Sequence, residues 1–273
     1  MPPIANDPVM DVFAKLDLKT IALLLDVDGT IIDIGPSPTE VHVSDALLQS
    51  LKRLFDLTGG AVALVSGRPI ADLDRMFSPL RLPAVGGHGA EMRLDDNKVF
   101  YWAKPLPEEM RNRLADPAAM SPGVIVEDKK YSLVLHYRGA PKEEERLSRH
   151  VMTCRAAFPG EPTELLVGKA VLEVLRPGIN KGESIRKLMA HAPFSGRMPV
   201  FIGDDVTDES VFRVLPEIGG KGFSVNRHFP GLTGIFRNPA HVRDALDTLV
   251  ANGQTAACRG KFSSRARASR LPS

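Results

Sequence analysis

Short apolar runs alternate with amphipathic stretches along much of the chain. Ile21 to Leu25 is apolar throughout, the pattern of a strand covered on both faces. Asp45 to Thr58 follows, with Leu47, Leu48, Leu51, Leu54 and Phe55 at helical spacing behind Ser44 as N-cap. Gly59-Gly60 ends that helix, a second apolar run spans Ala61 to Val65, and Pro69 suits the first turn of a helix reaching Phe77. Val200 to Ile202 is a further run of the same kind. Short strands separated by helices imply parallel βαβ units, and right-handed crossovers set the first two strands side by side with their C-terminal ends on one edge. The expected core is therefore an α/β, Rossmann-like domain built on a parallel sheet.

Between Tyr101 and Pro177 the period changes. Val124 to Glu127 and Tyr131 to Tyr137 read as paired strands, Lys142 to Phe158 as a helix, and Thr163 to Val167 with Ala170 to Leu175 as a hairpin around Gly168-Lys169. Pro105 and Pro107 on one side and Pro177-Gly178 on the other mark the junctions. This predicts a smaller α+β domain at 104–177 inserted into a discontinuous core of residues 1–103 and 178–255.

At 273 residues the chain has length for one large domain or two smaller ones. A net charge of +2 does not suggest a nucleic-acid partner. The charge is also uneven: Arg259, Lys261, Arg265, Arg267 and Arg270 crowd the C-terminus with no acid among them, so residues 256–273 read as a basic, disordered tail. Cys154 and Cys258 show no metal-ligand spacing and fit a reducing cytoplasm. No signal peptide is apparent, and the run Ile21 to Leu25 is far too short to span a membrane.

The chemistry concentrates where the apolar runs end. Asp26 and Asp28 lie one residue apart directly after the first strand, where open α/β sheets bind their ligands, and residues two apart on an extended chain point the same way. Gly29 permits a sharp turn after them. The second run ends in Ser66-Gly67-Arg68, Lys181 follows Pro177-Gly178-Ile179-Asn180 at the start of a helix, and the strand at Val200 to Ile202 leads into Gly203-Asp204-Asp205-Val206-Thr207-Asp208-Glu209. Taken singly, each has a plainer reading: a turn for Ser66 and Gly67, a solvated lysine for Lys181, and helix N-terminal acids for Asp204, Asp205 and Asp208.

Together, Asp26-x-Asp28-Gly29-Thr30, Ser66, Lys181 and the Asp204-Asp205 segment resemble, in order, the four motifs of the haloacid dehalogenase superfamily. Gly87-His88-Gly89-Ala90-Glu91, Glu127 with Lys129 before Ser132 and His136-Tyr137-Arg138, Gly168-Lys169 followed by Glu173, and Gly-Asp-Asp-x-Thr-Asp-Glu are similar to its trehalose 6-phosphate phosphatase family over about residues 20 to 250. The resemblance implies a phosphoric monoester hydrolase that completes trehalose biosynthesis. Asp26 would attack phosphorus and form an aspartyl-phosphate, and Asp28 would serve as general acid and then base. Ser66 and Lys181 would hold the phosphoryl oxygens. Mg²⁺ would sit on Asp26, the main-chain carbonyl of Asp28, and Asp204, with Asp205 and Asp208 in support. The inserted domain would be a cap that selects substrate.

For binding, the resemblance implies Glu127, Lys129 and Glu173 on the sugar that carries no phosphate, with Gly67, Arg68, His88 and Glu91 contacting substrate from the core. The substrate is expected to be a small-molecule sugar phosphate, with the trehalose 6-phosphate synthase as a candidate partner and no role for nucleic acid or membrane. Two alternatives stay open. One is a phosphatase of the same fold for another sugar phosphate, such as sucrose 6-phosphate or mannosyl-phosphoglycerate; the other is an inactive module that binds a sugar phosphate.

Overall fold

The computed structural model describes residues 7–35, 41–94 and 98–268. The chain opens with helix α1 (Pro8–Phe13) and strand β1 (Ile21–Leu25), whose five residues are all buried. Helix α2 (Asp45–Leu57) begins where the Ser44 side chain accepts from the Leu47 amide, and it buries Leu47, Leu51 and Leu54. Strand β2 (Val62–Val65) pairs parallel to β1 with Leu25 opposite Leu64, and helix α3 (Ile70–Met76) returns the chain to a third parallel strand, β3 (Ala84–Gly86).

Two further strands, β4 (Glu91–Arg93) and β5 (Val99–Tyr101), extend the sheet in the antiparallel sense. The hydrophobic pattern does not predict them because β4 is short and buries charge. Arg93 forks onto Asp74 and donates to the Leu82 carbonyl, while Glu91 accepts from the Ile70 amide. Partners of this kind make burial of charged groups tolerable, and they come from distant sequence.

Helix α4 (Glu108–Leu114), strands β6 (Ile125–Asp128) and β7 (Ser132–His136), helix α5 (Glu144–Ala156), and strands β8 (Glu164–Gly168) and β9 (Val171–Leu175) form the inserted unit. Its four-stranded antiparallel sheet has the order β6-β7-β9-β8. The two-residue period sorts its faces. Leu133, Leu135, Leu172 and Val174 pack with Met110, Leu114, Leu147 and Val151 of α4 and α5. The opposite face carries a cross-strand row of Glu127, Val134, Glu173 and Leu166, flanked on β7 by Ser132 and His136.

The chain then completes the larger sheet with α6 (Lys181–Met189), β10 (Met198–Gly203), α7 (Glu209–Val214), β11 (Lys221–Val225), β12 (Gly234–Phe236) and α8 (Pro239–Ala268). Strand order is β12-β11-β10-β1-β2-β3-β4-β5, so β1 is central and lies between β10 and β2. Ile21, Leu23 and Leu25 join α2 and α8 residues such as Leu51 and Leu246 in the core on one face; Ala22 and Leu24 join Ile185, Leu188, Val211 and Phe212 on the other. Helices on both faces explain the unbroken apolar run of β1. Helix α8 runs to Ala268 and so takes in part of the basic stretch 256–273: extending a docked helix through Ala-rich sequence needs no new nucleation. Residues 269–273 of that tail lie outside the described residues.

Candidate active site

The strand order reverses at β1, because β2 and β3 follow on one side while β10, β11 and β12 follow on the other. The C-terminal ends of strands at such a switch point make a crevice, and Asp26 stands there. Its amide still donates to the Ile202 carbonyl of β10 at 2.9 Å, which fixes the backbone before the turn. Gly29 turns the chain with φ of +79°, and a Cβ at that position would run into the Asp204 carboxylate. The glycine therefore allows the ends of β1 and β10 to bring two acids together.

Lys181, the first residue of α6, is buried between Asp26 and Asp208, with Nζ 2.7 Å from Asp26 Oδ1 and 2.6 Å from Asp208 Oδ1. Asn180 starts the helix by accepting from the Glu183 amide at 2.8 Å. Asp208 Oδ2 accepts from the Asp204 and Asp205 amides at 2.9 and 3.0 Å, so both of its oxygens are engaged in holding the site. Thr30 Oγ1 bridges Asp26 Oδ2 at 2.9 Å and Asp204 Oδ1 at 3.2 Å. The sequence reading leaves Thr30 without a role; its presence in the Asp26 to Thr30 motif is the signal that points to it.

Burial, with Asp208 and Asp204 nearby, pushes the Asp26 carboxyl well above the usual carboxylate range, against the pull of Lys181. Burial, with Asp208 and Asp205, likewise lifts Asp204 to about 6. Burial alone would lower Lys181, but Asp208 and Asp26 outweigh it and hold the ammonium above the ordinary lysine range. Carboxylate oxygens of Asp26, Asp204 and Asp208 lie within 4.8 Å of one another. Three acids around one ammonium leave an excess of negative charge, and the oxygen donors of Asp26 and Asp204 fit a hard divalent cation.

Ser66 directly follows β2 and is buried, its Oγ accepting from the Arg68 amide at 3.1 Å. Arg68 clamps Asp28 with a two-pronged pair, Nε to Oδ2 and Nη2 to Oδ1, each at 2.7 Å. Gly67 has its own requirement: a Cβ there would collide with the His88 imidazole. His88 is buried with φ of +57°, a left-handed conformation that is uncommon for a side-chain-bearing residue and tends to mark functional positions. Its Nε2 lies 2.9 Å from Glu173 Oε1, at ion-pair distance but off the line of a hydrogen bond.

That contact joins the core to the cap sheet. Glu173 Oε1 also accepts from Ser132 Oγ at 2.6 Å, and Glu127 Oε2 meets His136 Nε2 at 2.9 Å and Lys129 Nζ at 3.8 Å. Burial works against both carboxylates. His88, Lys129 and Ser132 outweigh it for Glu173, and His136, Lys129 and Arg68 do so for Glu127, so both carboxyls stay below their usual range. A cavity of about 410 Å³ opens here, lined among others by His88, Glu173, Lys181, Asp205, Leu166 and Arg227. Asp205 is exposed at its rim, 3.6 Å from Arg227.

Of the expected binding residues, His88 and Glu173 line this cavity, Gly67, Arg68, Glu127 and Lys129 do not, and neither does Glu91. Its Oε2 accepts from the Ile70 amide at 2.7 Å, capping α3, and its Oε1 lies 3.4 Å from Lys130 Nζ of the cap. It borders a separate cavity of about 540 Å³ with Tyr101, Asp74 and Arg111. Its place in sequence, just past a Gly-rich loop, cannot reveal that its carboxylate turns back onto a helix start.

Residues 24–230 match the family described as trehalose-phosphatase. The chain is 38% identical over 206 residues to the trehalose-6-phosphate phosphatase of Escherichia coli (strain K12), covering 75% of this chain and 77% of that protein. It is 35% identical over 236 residues to the probable trehalose-phosphate phosphatase of Sinorhizobium fredii, covering 86% and 88%. Among solved structures, the C-terminal domain of C. albicans trehalose-6-phosphate phosphatase superposes with a TM-score of 0.73 at 23% identity, over 91% of this chain and 98% of that one. A phosphatase of the haloalkanoate (HAD) enzyme superfamily from Bacteroides thetaiotaomicron shares the fold with a TM-score of 0.56 at 14% identity, over 91% and 99%.

Proposed function

The chain belongs to the trehalose-phosphatase family of phosphoric monoester hydrolases, and from that membership and the geometry at the end of β1 we propose that it hydrolyses trehalose 6-phosphate to trehalose and phosphate with Mg²⁺. The observation that carries this reading is the set of Asp26, Lys181 and Asp204 at the switch point, the first two buried and Asp204 half-buried, beside a cavity lined by Lys181 and by Glu173 of the cap.

In the first half-reaction a carboxylate oxygen of Asp26 bonds to phosphorus while the bond from phosphorus to the sugar oxygen breaks. Asp28 gives its proton to that departing oxygen. In the second half-reaction Asp28 takes a proton from water as the water oxygen attacks phosphorus, which releases phosphate and restores the Asp26 carboxylate. Arg68 sets the direction of the Asp28 side chain through its two-pronged contact. Ser66 and Lys181 hold the phosphoryl oxygens on which charge accumulates. Asp26, Asp204 and the main-chain carbonyl of Asp28 would hold Mg²⁺, which when bound neutralises charge between nucleophile and phosphoryl group.

In this reading residues 1–103 with 178–255 carry the chemistry, and the cap of residues 104–177 chooses substrate through Glu127, Lys129 and Glu173, with His88 contacting sugar from the core. A disaccharide offers many hydroxyls, for which ionised carboxylates and an ammonium are suitable partners. The synthase that makes the ester is the candidate partner. Among the described residues no helix is long and apolar enough to cross a membrane, and Cys154 is a free buried thiol; both fit a place in the cytoplasm. Asp26→Asn tests the covalent step: turnover should vanish while the circular dichroism spectrum is unchanged, and substantial retained activity would overturn it.

A further inference from the structure

The cleft face of the cap has a regularity that the recognition carboxylates do not explain by themselves. Glu127 of β6 and Glu173 of β9 stand in one cross-strand row on either side of Val134 of β7. Two residues before Val134 is Ser132, and two residues after it is His136, so both share its face. Each reaches a carboxylate on a different neighbouring strand: Ser132 Oγ donates to Glu173 Oε1 at 2.6 Å, and His136 Nε2 meets Glu127 Oε2 at 2.9 Å. The central strand thus braces the two outer acids from opposite ends.

From this we infer that Ser132 and His136 are positioning residues for substrate selection, each fixing one recognition carboxylate in the direction needed to meet a sugar hydroxyl. The inference rests on the reading of Glu127 and Glu173 as sugar-binding residues. A glutamate on a sheet face has several rotamers open to it, and ordering them when the ligand arrives has an entropic cost. A bond made before binding removes that cost, which is preorganisation. Each carboxylate is braced through one oxygen. Ser132 and His88 both address Oε1 of Glu173, and His136 and Lys129 both address Oε2 of Glu127. The second oxygen of each is then aimed as well, because the carboxylate is planar. Ser132 is buried and His136 about one third exposed, so the two braces differ in solvent access but not in direction.

The test compares Ser132→Ala, His136→Leu and His136→Gln with Glu127→Ala and Glu173→Ala, measuring kcat and KM for trehalose 6-phosphate and for p-nitrophenyl phosphate. Loss of a hydrogen bond to a charged group should raise KM for the disaccharide ester about tenfold in Ser132→Ala and His136→Leu. The disaccharide kcat should change much less. Gln carries an N–H donor near the place of His Nε2, so His136→Gln should recover most of the lost affinity, which a purely structural role for His136 would not require. If Glu127→Ala and Glu173→Ala raise the disaccharide KM but Ser132→Ala and His136→Leu do not, the bracing role is overturned and the sugar-binding reading survives. If the two glutamate variants leave that KM unchanged, both fall.

Discussion

Asp208 offers the clearest energetic test of how the site is held. It is fully buried, pairs with Lys181 Nζ through Oδ1, and accepts the Asp204 and Asp205 amides through Oδ2. Asp208→Asn keeps the shape but offers one acceptor where two are used. If the amide oxygen serves the two backbone N–H groups, its NH₂ group faces an ammonium, donor against donor. Breaking one partner of a buried ion pair costs about 3–5 kcal/mol. Two features place this case at the lower end: Lys181 keeps Asp26 at 2.7 Å, and removing the Asp208 charge relieves the repulsion that adds to burial in raising Asp26 and Asp204. The expected loss is about 3 kcal/mol, equivalent to a fall of roughly 6–12 °C in Tm for a chain of this size. Thermal melts followed by circular dichroism would measure it, with kcat on trehalose 6-phosphate in parallel. A Tm within about 2 °C of wild type would refute the view that Asp208 anchors Lys181.

Thr30→Val removes the hydroxyl shared by Asp26 and Asp204 with little change of shape, and should lower kcat about tenfold with the fold intact, as steady-state kinetics would show. The raised Asp204 has a sign that can be worked out. Its folded value of about 6 lies above its ordinary 3.8, so in metal-free protein its contribution to stability is full below the lower value and is lost as pH rises through the upper one. The stability difference between wild type and Asp204→Asn in chelator should therefore shift against wild type between roughly pH 4 and 6; a shift in its favour would contradict this. Mg²⁺ held by Asp204 as proposed would compete with the same proton, so its affinity, measured by calorimetry, should weaken below about pH 6. Glu91→Gln should reduce stability by about 1–2 kcal/mol in urea titrations, through the α3 cap and the Lys130 contact, while leaving KM for trehalose 6-phosphate unchanged.

These sites differ in how far sequence alone exposes them. Strand β1 is legible because a run covered on both faces is apolar at every position, and the Ser44 cap is legible because capping is local. The cap hairpin around Gly168-Lys169 follows from strand period and turn chemistry, and the structure pairs β8 with β9 there. Strand β4 stays hidden because its glutamate and arginine look like surface residues until Ile70, Asp74 and Leu82 are placed beside them. The contacts of Thr30 with Asp204, and of Ser132 with Glu173, join residues far apart in the chain, which no local period encodes. Helix α8 runs past the apolar periodicity because an existing helix extends at little cost.

Phosphate release from trehalose 6-phosphate, sucrose 6-phosphate and glucose 6-phosphate, each with Mg²⁺ and with chelator, is the most direct test of the proposed activity. Strong release from trehalose 6-phosphate alone, abolished by chelator, is the expected result. Preferred turnover of another ester would contradict the assignment of the cap carboxylates, and release that persists in chelator would contradict the metal-assisted chemistry at Asp26 and Asp204.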